Sequence, residues 1–273
     1  SLNLTPLRTE AGPGLGNRMA IIIKSQRDLQ AMRESARINV EVLQRVVEMV
    51  RPGVTTGELD QLANDIITRR GAMPAFLGYP PGSNHPFPAT LTTSINEELV
   101  HGIPGDRVLE EGDILSIDCG TVYKGFVSDS AITVGVGAIS EEAQRLLEVT
   151  ERALYEGIAM CMPGNHFGDI SHAIQTFVEA QGLNVVREYG GHGVGRAMHE
   201  DPHIPNWGQP GRGQRLRPGM TFALEPMVML GAPATRVLDD HWTVVTADGK
   251  LCAHFEHTIA VTENGPEILT KWS

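Results

Sequence analysis

The sequence is short of cysteine, of basic residues and of long apolar runs, and each shortage excludes something. Cys119, Cys161 and Cys252 are the only cysteines. Their odd number, wide spacing and lack of a C-x-x-C pattern exclude a disulfide framework and fit reduced thiols in the cytoplasm. No apolar run approaches the length of a membrane span, and the first 18 residues carry no apolar stretch that would read as a secretory signal. With 22 basic against 33 acidic residues and a net charge of -11, the chain is not built around a nucleic-acid backbone, so DNA is not an expected partner. The run Gly191-His192-Gly193-Val194-Gly195 lacks the G-x-G-x-x-G order that opens a helix after a strand, which argues against a dinucleotide site.

What remains is an ordinary globular composition, 41% hydrophobic in 273 residues, enough for a substantial core. Regular pattern begins near Met19. Residues 1–18 are expected to be a flexible extension or appended sequence, and 19–273 a single catalytic domain. Leu29, Met32, Ala36, Val40, Leu43, Val47 and Val50 recur at three- and four-residue steps, which predicts a helix over 25–50. Ser25 with Asp28 reads as its capping box and Pro52-Gly53 as its stop. A second helix is predicted over 56–70, capped by Thr55 with Glu58 and ended by Gly71.

The pattern then returns. Helices are predicted over 140–162 and 169–181. Pro52-Gly53 and Pro163-Gly164 stand 111 positions apart, as do Gly57 and Gly168, and Gly71 and Gly182. Strand segments repeat as well. Residues 112–118 and 219–225 are β-type runs that end in Asp118 and Glu225, whereas 129–134 and 256–261 are strands that begin with Asp129 and Glu256. The expected architecture is therefore α/β (α+β), with halves of about 19–135 and 136–265. Two pseudo-symmetric helix pairs should cover a curved antiparallel sheet, with the site on the pseudo-symmetry axis.

Alone, any of these acids reads as a turn or strand-end residue, and the Gly190–Gly195 run reads as a loop. Together they point elsewhere. Asp118, Glu225 and Glu256 lie in apolar strand contexts, where an ionised carboxylate costs several kcal/mol unless paired or bound to a cation. Few basic residues lie nearby in sequence. A donor set of four carboxylates and His192 is too rich in oxygen for a structural zinc site and suits a pair of divalent ions such as Mn, Fe(II), Co or Zn. Water held by such ions is acidified from about 15.7 toward about 7, which supplies a hydroxide nucleophile.

Several motifs carry a resemblance: Ser94-Ile95-Asn96-Glu97, His101-Gly102-Ile103-Pro104, Ile117-Asp118, Ser128-Asp129-Ser130, Gly191–Arg196 through His199-Glu200, Leu224-Glu225-Pro226-Met227 and Phe255-Glu256-His257-Thr258. From about Met19 to Val261 the chain closely resembles the type I methionine aminopeptidases, which have the pita-bread fold. The resemblance implies removal of N-terminal methionine from nascent proteins and peptides, with preference for a small uncharged second residue. It implies Asp118, Asp129, His192, Glu225 and Glu256 as metal ligands, with Asp129 and Glu256 bridging two ions, and an additional monovalent cation. It gives His101, His199 and Glu225 catalytic roles. Glu225 is the general base, His199 the donor to the scissile carbonyl oxygen and His101 the partner of the scissile nitrogen. The substrate pocket it implies consists of Tyr79, Phe87, Thr92, His101, Met198, His199 and Trp242.

The pocket departs from the family in places. Phe87 stands where the family often has Tyr, Phe76 and Thr92 where many bacterial relatives carry Cys, and Met198 where they often carry Phe. The 79–87 loop is longer than in the commonest bacterial pattern. A monomer in the cytoplasm with a transient ribosome contact is the expected setting. Two rivals remain. Proline-specific peptidases and creatinase on the same fold carry a large N-terminal domain that this chain does not show, and metal-free binding homologues should have lost ligands that are present here.

Overall fold

The computed structural model describes residues 20–273. The expectation for residues 1–18 lies outside these. Four helices carry the layers over the sheets: α1 Gln26–Met49, α2 Thr56–Arg69, α3 Glu141–Ala159 and α4 Phe167–Ala180. The capping boxes of Ser25 with Asp28 and Thr55 with Glu58 form as predicted. They satisfy orphan N–H groups that helix starts otherwise leave open. Helix α1 buries Leu29, Met32, Ala36, Val40 and Leu43. Leu43, Val46, Leu59 and Ile67 join α1 and α2 to one face of the sheets through Leu91, Leu115 and Ile117. Leu146, Leu154, Ile170 and Ile174 join α3 and α4 to the other half through Phe222, Leu224 and Ile259. Full burial of each such side chain contributes roughly 1.5–3 kcal/mol.

The two halves match in conformation as well as in sequence. Gly53 and Gly164 have φ of 93° and 91°, and Gly71 and Gly182 have φ of 70° and 77°. These are left-handed positions that only glycine adopts cheaply, and they end equivalent segments. Gly57 N–H donates to the Gly105 carbonyl and Gly168 N–H to that of Arg212, each at 2.8 Å. Two helix ends differ from prediction by more than one residue. Helix α3 stops at Ala159 rather than 162, where the Met160 and Cys161 N–H groups donate three residues back, to the Gly157 and Ile158 carbonyls at 3.1 and 2.9 Å, and tighten the last turn. Helix α4 starts at Phe167 rather than 169, because the Asp169 carboxylate accepts from His166 N–H at 2.7 Å and so sits inside the first turn.

Every registered strand pair is antiparallel. In the first half, Ile114–Tyr123 and Phe126–Gly135 form a hairpin, with Leu91–Ile95 on the other side of Ile114–Tyr123. In the second half, Thr221–Leu224 lies between His257–Thr262 and Gly190–Gly193, and Glu200–Pro205 pairs with the latter. The halves meet where Ala131 and Glu256 exchange backbone hydrogen bonds of 3.2 and 3.0 Å.

The hairpin corrects one expectation. Asp118 does not end a strand and Asp129 does not begin one, since both lie within ten-residue strands. The cause is the turn Lys124-Gly125, with φ of 50° and 78°. Two positive φ values make the tight turn whose twist matches its strands, so pairing runs unbroken past both acids to Tyr123 and Phe126.

Candidate metal centre and substrate pocket

The register brings the acids together. Gly120 pairs with Asp129 and Asp118 with Ala131. Because side chains alternate along a strand, Asp118 and Asp129 are diagonal neighbours on one face. Glu225 follows the strand Thr221–Leu224, and Glu256 precedes the strand that pairs with it. His192 pairs with Ala223. Asp118, Asp129, His192, Glu225 and Glu256 are each no more than 3% exposed. Ligand atoms of Asp118, Glu225, His254 and Glu256 all lie within 4.8 Å of one another, as do those of Asp129, His192 and Glu256. Glu256 belongs to both groups, and Glu225 also reaches the His192 side, with Oε1 3.9 Å from His192 Nε2.

Helix α1 braces this face from behind. Asn39 Nδ2 donates to the Cys119 carbonyl at 2.7 Å and to that of Ser128 at 3.3 Å, and its Oδ1 accepts from Ser130 Oγ. Ser35 and Ser128 hydroxyls are 2.8 Å apart. Both neighbours of Asp129 are thereby held by α1, and Thr258 Oγ1 donates to the Asp129 carbonyl at 2.7 Å.

The donor set fits a cation. His192 Nδ1 lies 2.8 Å from the Gly193 carbonyl. A carbonyl only accepts, so Nδ1 carries the hydrogen, and in the neutral ring Nε2 keeps its lone pair. Nε2 has no hydrogen-bond partner among the described residues, yet it faces oxygens of Asp129, Glu225 and Glu256 at 3.5, 3.9 and 4.0 Å. A lone pair set against three carboxylates is favourable with a positive ion between them, and a metal-ligating histidine characteristically gives its other N–H to a carbonyl. Burial first, and then the charges of Asp129 and Glu225, push the Glu256 carboxyl well above its ordinary 4.5. Without a cation, this site has more negative charge than it can hold ionised.

Beside the carboxylates lie the residues expected to form the substrate pocket. His199 is cross-braced by Tyr79, whose hydroxyl is 2.7 Å from His199 Nδ1. Its Nε2 is buried with no partner among the described residues. Burial, reinforced by His192, pushes its pKa down to about 2, so the ring is neutral at working pH. Phe87 meets Trp242 edge-on at 5.2 Å, and Trp242 meets His101 at 6.0 Å. Phe76, Phe87, Met198 and Trp242 belong to one buried cluster, with Tyr79 packed against it. Thr92 is the cross-strand partner of Asp118. His101 takes a φ of 63°, an uncommon left-handed value that histidine adopts more readily than most residues.

The loop from Tyr79 to Phe87 closes on itself, with Phe87 N–H donating to the Tyr79 carbonyl at 2.8 Å. Trp242 Nε1 donates to the His85 carbonyl at 3.0 Å, which ties this loop to the cluster of Phe76, Phe87 and Met198. A buried ion pair, Lys24 Nζ to Glu200 Oε2 at 2.5 Å, fastens the segment that presents Met198 and His199.

Two histidines near the centre escaped the sequence reading. His254 Nε2 is 3.0 Å from Glu225 Oε2. His203 is the cross-strand partner of His192, and burial lowers its pKa. The signal for His254 was its place two residues before Glu256, on the same face of an extended segment. Nothing local marked His203, because its neighbour is set by strand register.

The chain matches metallopeptidase family M24 over residues 30–263. Methionine aminopeptidase 1 of Bacillus subtilis is 52% identical over 251 residues, 92% of this chain and 99% of that protein. The methionine aminopeptidase of Escherichia coli is 44% identical over 254 residues, 92% and 94% of the two chains. The crystal structure of methionine aminopeptidase from Thermotoga maritima aligns with a TM-score of 0.89 at 45% identity, covering 93% of this chain and all of that one. A prolidase from Pyrococcus furiosus, 21% identical with a TM-score of 0.75 over 92% of this chain and 66% of its own, shares the fold alone. This chain belongs to metallopeptidase family M24 and, within it, to the methionine aminopeptidases.

Proposed function

We propose that this chain removes the N-terminal methionine from nascent polypeptides and peptides whose second residue is small and uncharged. The observation that carries the chemistry is the set of five buried donors, which fall in two close groups that share Glu256, with His192 Nε2 facing three carboxylates. Asp118, Asp129, His192, Glu225 and Glu256 would hold two divalent ions drawn from Mn, Fe(II), Co or Zn. When bound, such ions supply Lewis acidity and lower the pKa of water to about 7, so that hydroxide exists at working pH.

The side chains of this protein do the rest. Glu225 takes the proton released as water adds to the scissile carbonyl carbon. His199 donates through Nε2–H to the carbonyl oxygen as it gains charge. Tyr79 O–H donating to Nδ1 selects the tautomer that carries this hydrogen. His101 holds the scissile nitrogen, which leaves as an amine once the C–N bond breaks and it has gained a proton. The side of Asp118 would receive the substrate α-amine, which limits cleavage to the first residue. Phe87, Met198, Tyr79, Thr92 and Trp242 line the methionine slot, where an unbranched thioether finds apolar, polarisable partners.

No helix among the described residues is long and apolar enough to cross a membrane. A cytoplasmic monomer acting beside the ribosome fits the proposed nascent-chain substrate.

Peptide cleavage by the metal-loaded protein tests the specificity. Met-Ala-Ser is cleaved and Met-Lys-Ser and Ala-Pro-Ser are not, whereas cleavage of Ala-Pro-Ser alone would move the chain to the proline-specific enzymes. A smaller effect tests the role of Tyr79. Tyr79→Phe removes one hydrogen bond, worth about 1 kcal/mol, and kcat falls about fivefold at unchanged metal content. Steady-state kinetics with metal analysis checks this, and an unchanged kcat removes Tyr79 from the mechanism.

A further inference from the structure

His254 stands outside the five ligands, yet it touches one of them. We propose that His254 is a positioning residue for Glu225: its ring N–H holds one carboxylate oxygen so that the other faces the cation side of the site. The inference rests on the metallopeptidase reading given above.

The two oxygens of Glu225 have different neighbours. Oε2 lies 3.0 Å from His254 Nε2, with both side chains 1% exposed. Oε1 lies toward His192 Nε2, at 3.9 Å. An ionised carboxylate oxygen only accepts, so His254 is the donor. The terminal torsion of a glutamate is broad, and a fixed donor on one oxygen removes that freedom and decides which oxygen is presented.

The donor is itself fixed. His254 N–H donates to Thr133 Oγ1 at 2.9 Å, and Thr133 Oγ1 donates to the His254 carbonyl at 2.8 Å. That uses the one hydrogen of the threonine, so Ser116 Oγ, at 2.8 Å, donates to it in turn. His254 also pairs with Met227, two residues beyond Glu225, and Asn206 Nδ2 donates to the Glu225 carbonyl at 3.0 Å. Glu225 is thus held at its backbone by Asn206 and at its carboxylate by His254.

The rival is direct ligation, because His254 Nε2 lies within the close group formed with Asp118, Glu225 and Glu256. A ligand needs a lone pair at Nε2, where a positioning donor needs a hydrogen. Substitution separates them. His254→Gln keeps an N–H donor of similar reach without an imidazole, and His254→Met fills the volume without a donor. The apo-proteins are titrated with Co(II) by calorimetry, the visible spectra of the Co(II) forms are recorded, and kcat and KM are measured on Met-Ala-Ser.

The methionine variant should lose roughly 10- to 100-fold in Co(II) affinity and kcat, with KM within about twofold and the saturated spectrum retained. The glutamine variant should restore affinity and kcat to within a few-fold of wild type. A glutamine variant as weak as the methionine one, with an altered spectrum, would make His254 a ligand and overturn the proposal. Wild-type behaviour in both variants would make it a filler of the core and do the same. If the methionine variant fails to fold, His254→Asn, too short to reach Oε2, replaces it. Absence of Co(II) binding in the wild-type protein would sink the underlying metal reading as well, and is seen before any variant is made.

Discussion

His199→Ala should lower kcat on Met-Ala-Ser by about 100- to 1000-fold, the usual cost of one oxyanion donor, while the apo-protein binds divalent metal as tightly as before. Three features lead to this. The ring is pushed by burial to a pKa of about 2, so it acts as a neutral donor and does not carry a charge. Tyr79, 2.7 Å from Nδ1, leaves Nε2 to hold the hydrogen. Nε2 is buried with no partner among the described residues, so its hydrogen is available to a carbonyl oxygen placed against it. The interaction strengthens only as the carbonyl oxygen gains charge, so the loss falls on kcat rather than on KM. Kinetics and calorimetric metal titration on the same preparation check it. Loss of metal in the variant would make His199 a ligand, and an unchanged kcat would place the donor elsewhere.

Removing the metal should lower the melting temperature, and by more as pH rises. A ligand present at about 1,000 times its Kd stabilises the folded state by about 4 kcal/mol. For a chain of this size that corresponds to a drop of roughly 8–16 °C on chelation. The pH dependence follows from Glu256. Burial, then Asp129 and Glu225, raise its folded-state pKa above the ordinary 4.5. A raised carboxyl pKa means the folded apo-protein binds a proton that the unfolded chain has already lost. The resulting stability is complete below 4.5 and disappears as pH climbs through the folded value. A bound cation favours the ionised form and removes this dependence. Buried histidines with lowered pKa values, such as His199 and His257, stabilise the fold as pH rises, so the effect is read in the difference: melting curves of chelated and reloaded protein across pH 5 to 8 should diverge, the gap widening on the alkaline side. Parallel curves, or no shift on verified apo-protein, would count against a shared compact site.

Helices were legible in the sequence because their signals are local. The apolar steps of α1 and the two capping boxes lie within a few residues of each other, and the Pro/Gly pairs 111 positions apart report left-handed turns that recur at equivalent ends. The acids were legible as a set, and Glu225 and Glu256 stand at strand ends as read, but the place of Asp118 and Asp129 was not legible. Asp118 and Asp129 sit mid-strand because Lys124-Gly125 makes a two-residue turn, and a Lys-Gly pair is a weaker hairpin signal than Asn-Gly. Ser35 and Asn39 face the sheet from the buried side of α1, where an apolar periodicity does not register polar residues. The contact of Tyr79 with His199 spans 120 positions, and the pairing of His203 with His192 depends on strand register. Neither is written in any local pattern. Chemistry that depends on residue type was readable in advance, and chemistry that depends on which atom meets which was not.

The measurement that bears most directly on the account is methionine release from Met-Ala-Ser by verified apo-protein, before and after addition of Mn(II) or Co(II). The account predicts no release without metal and full release once metal is restored. Release that survives complete removal of metal, or its absence with metal bound at the centre, would contradict it.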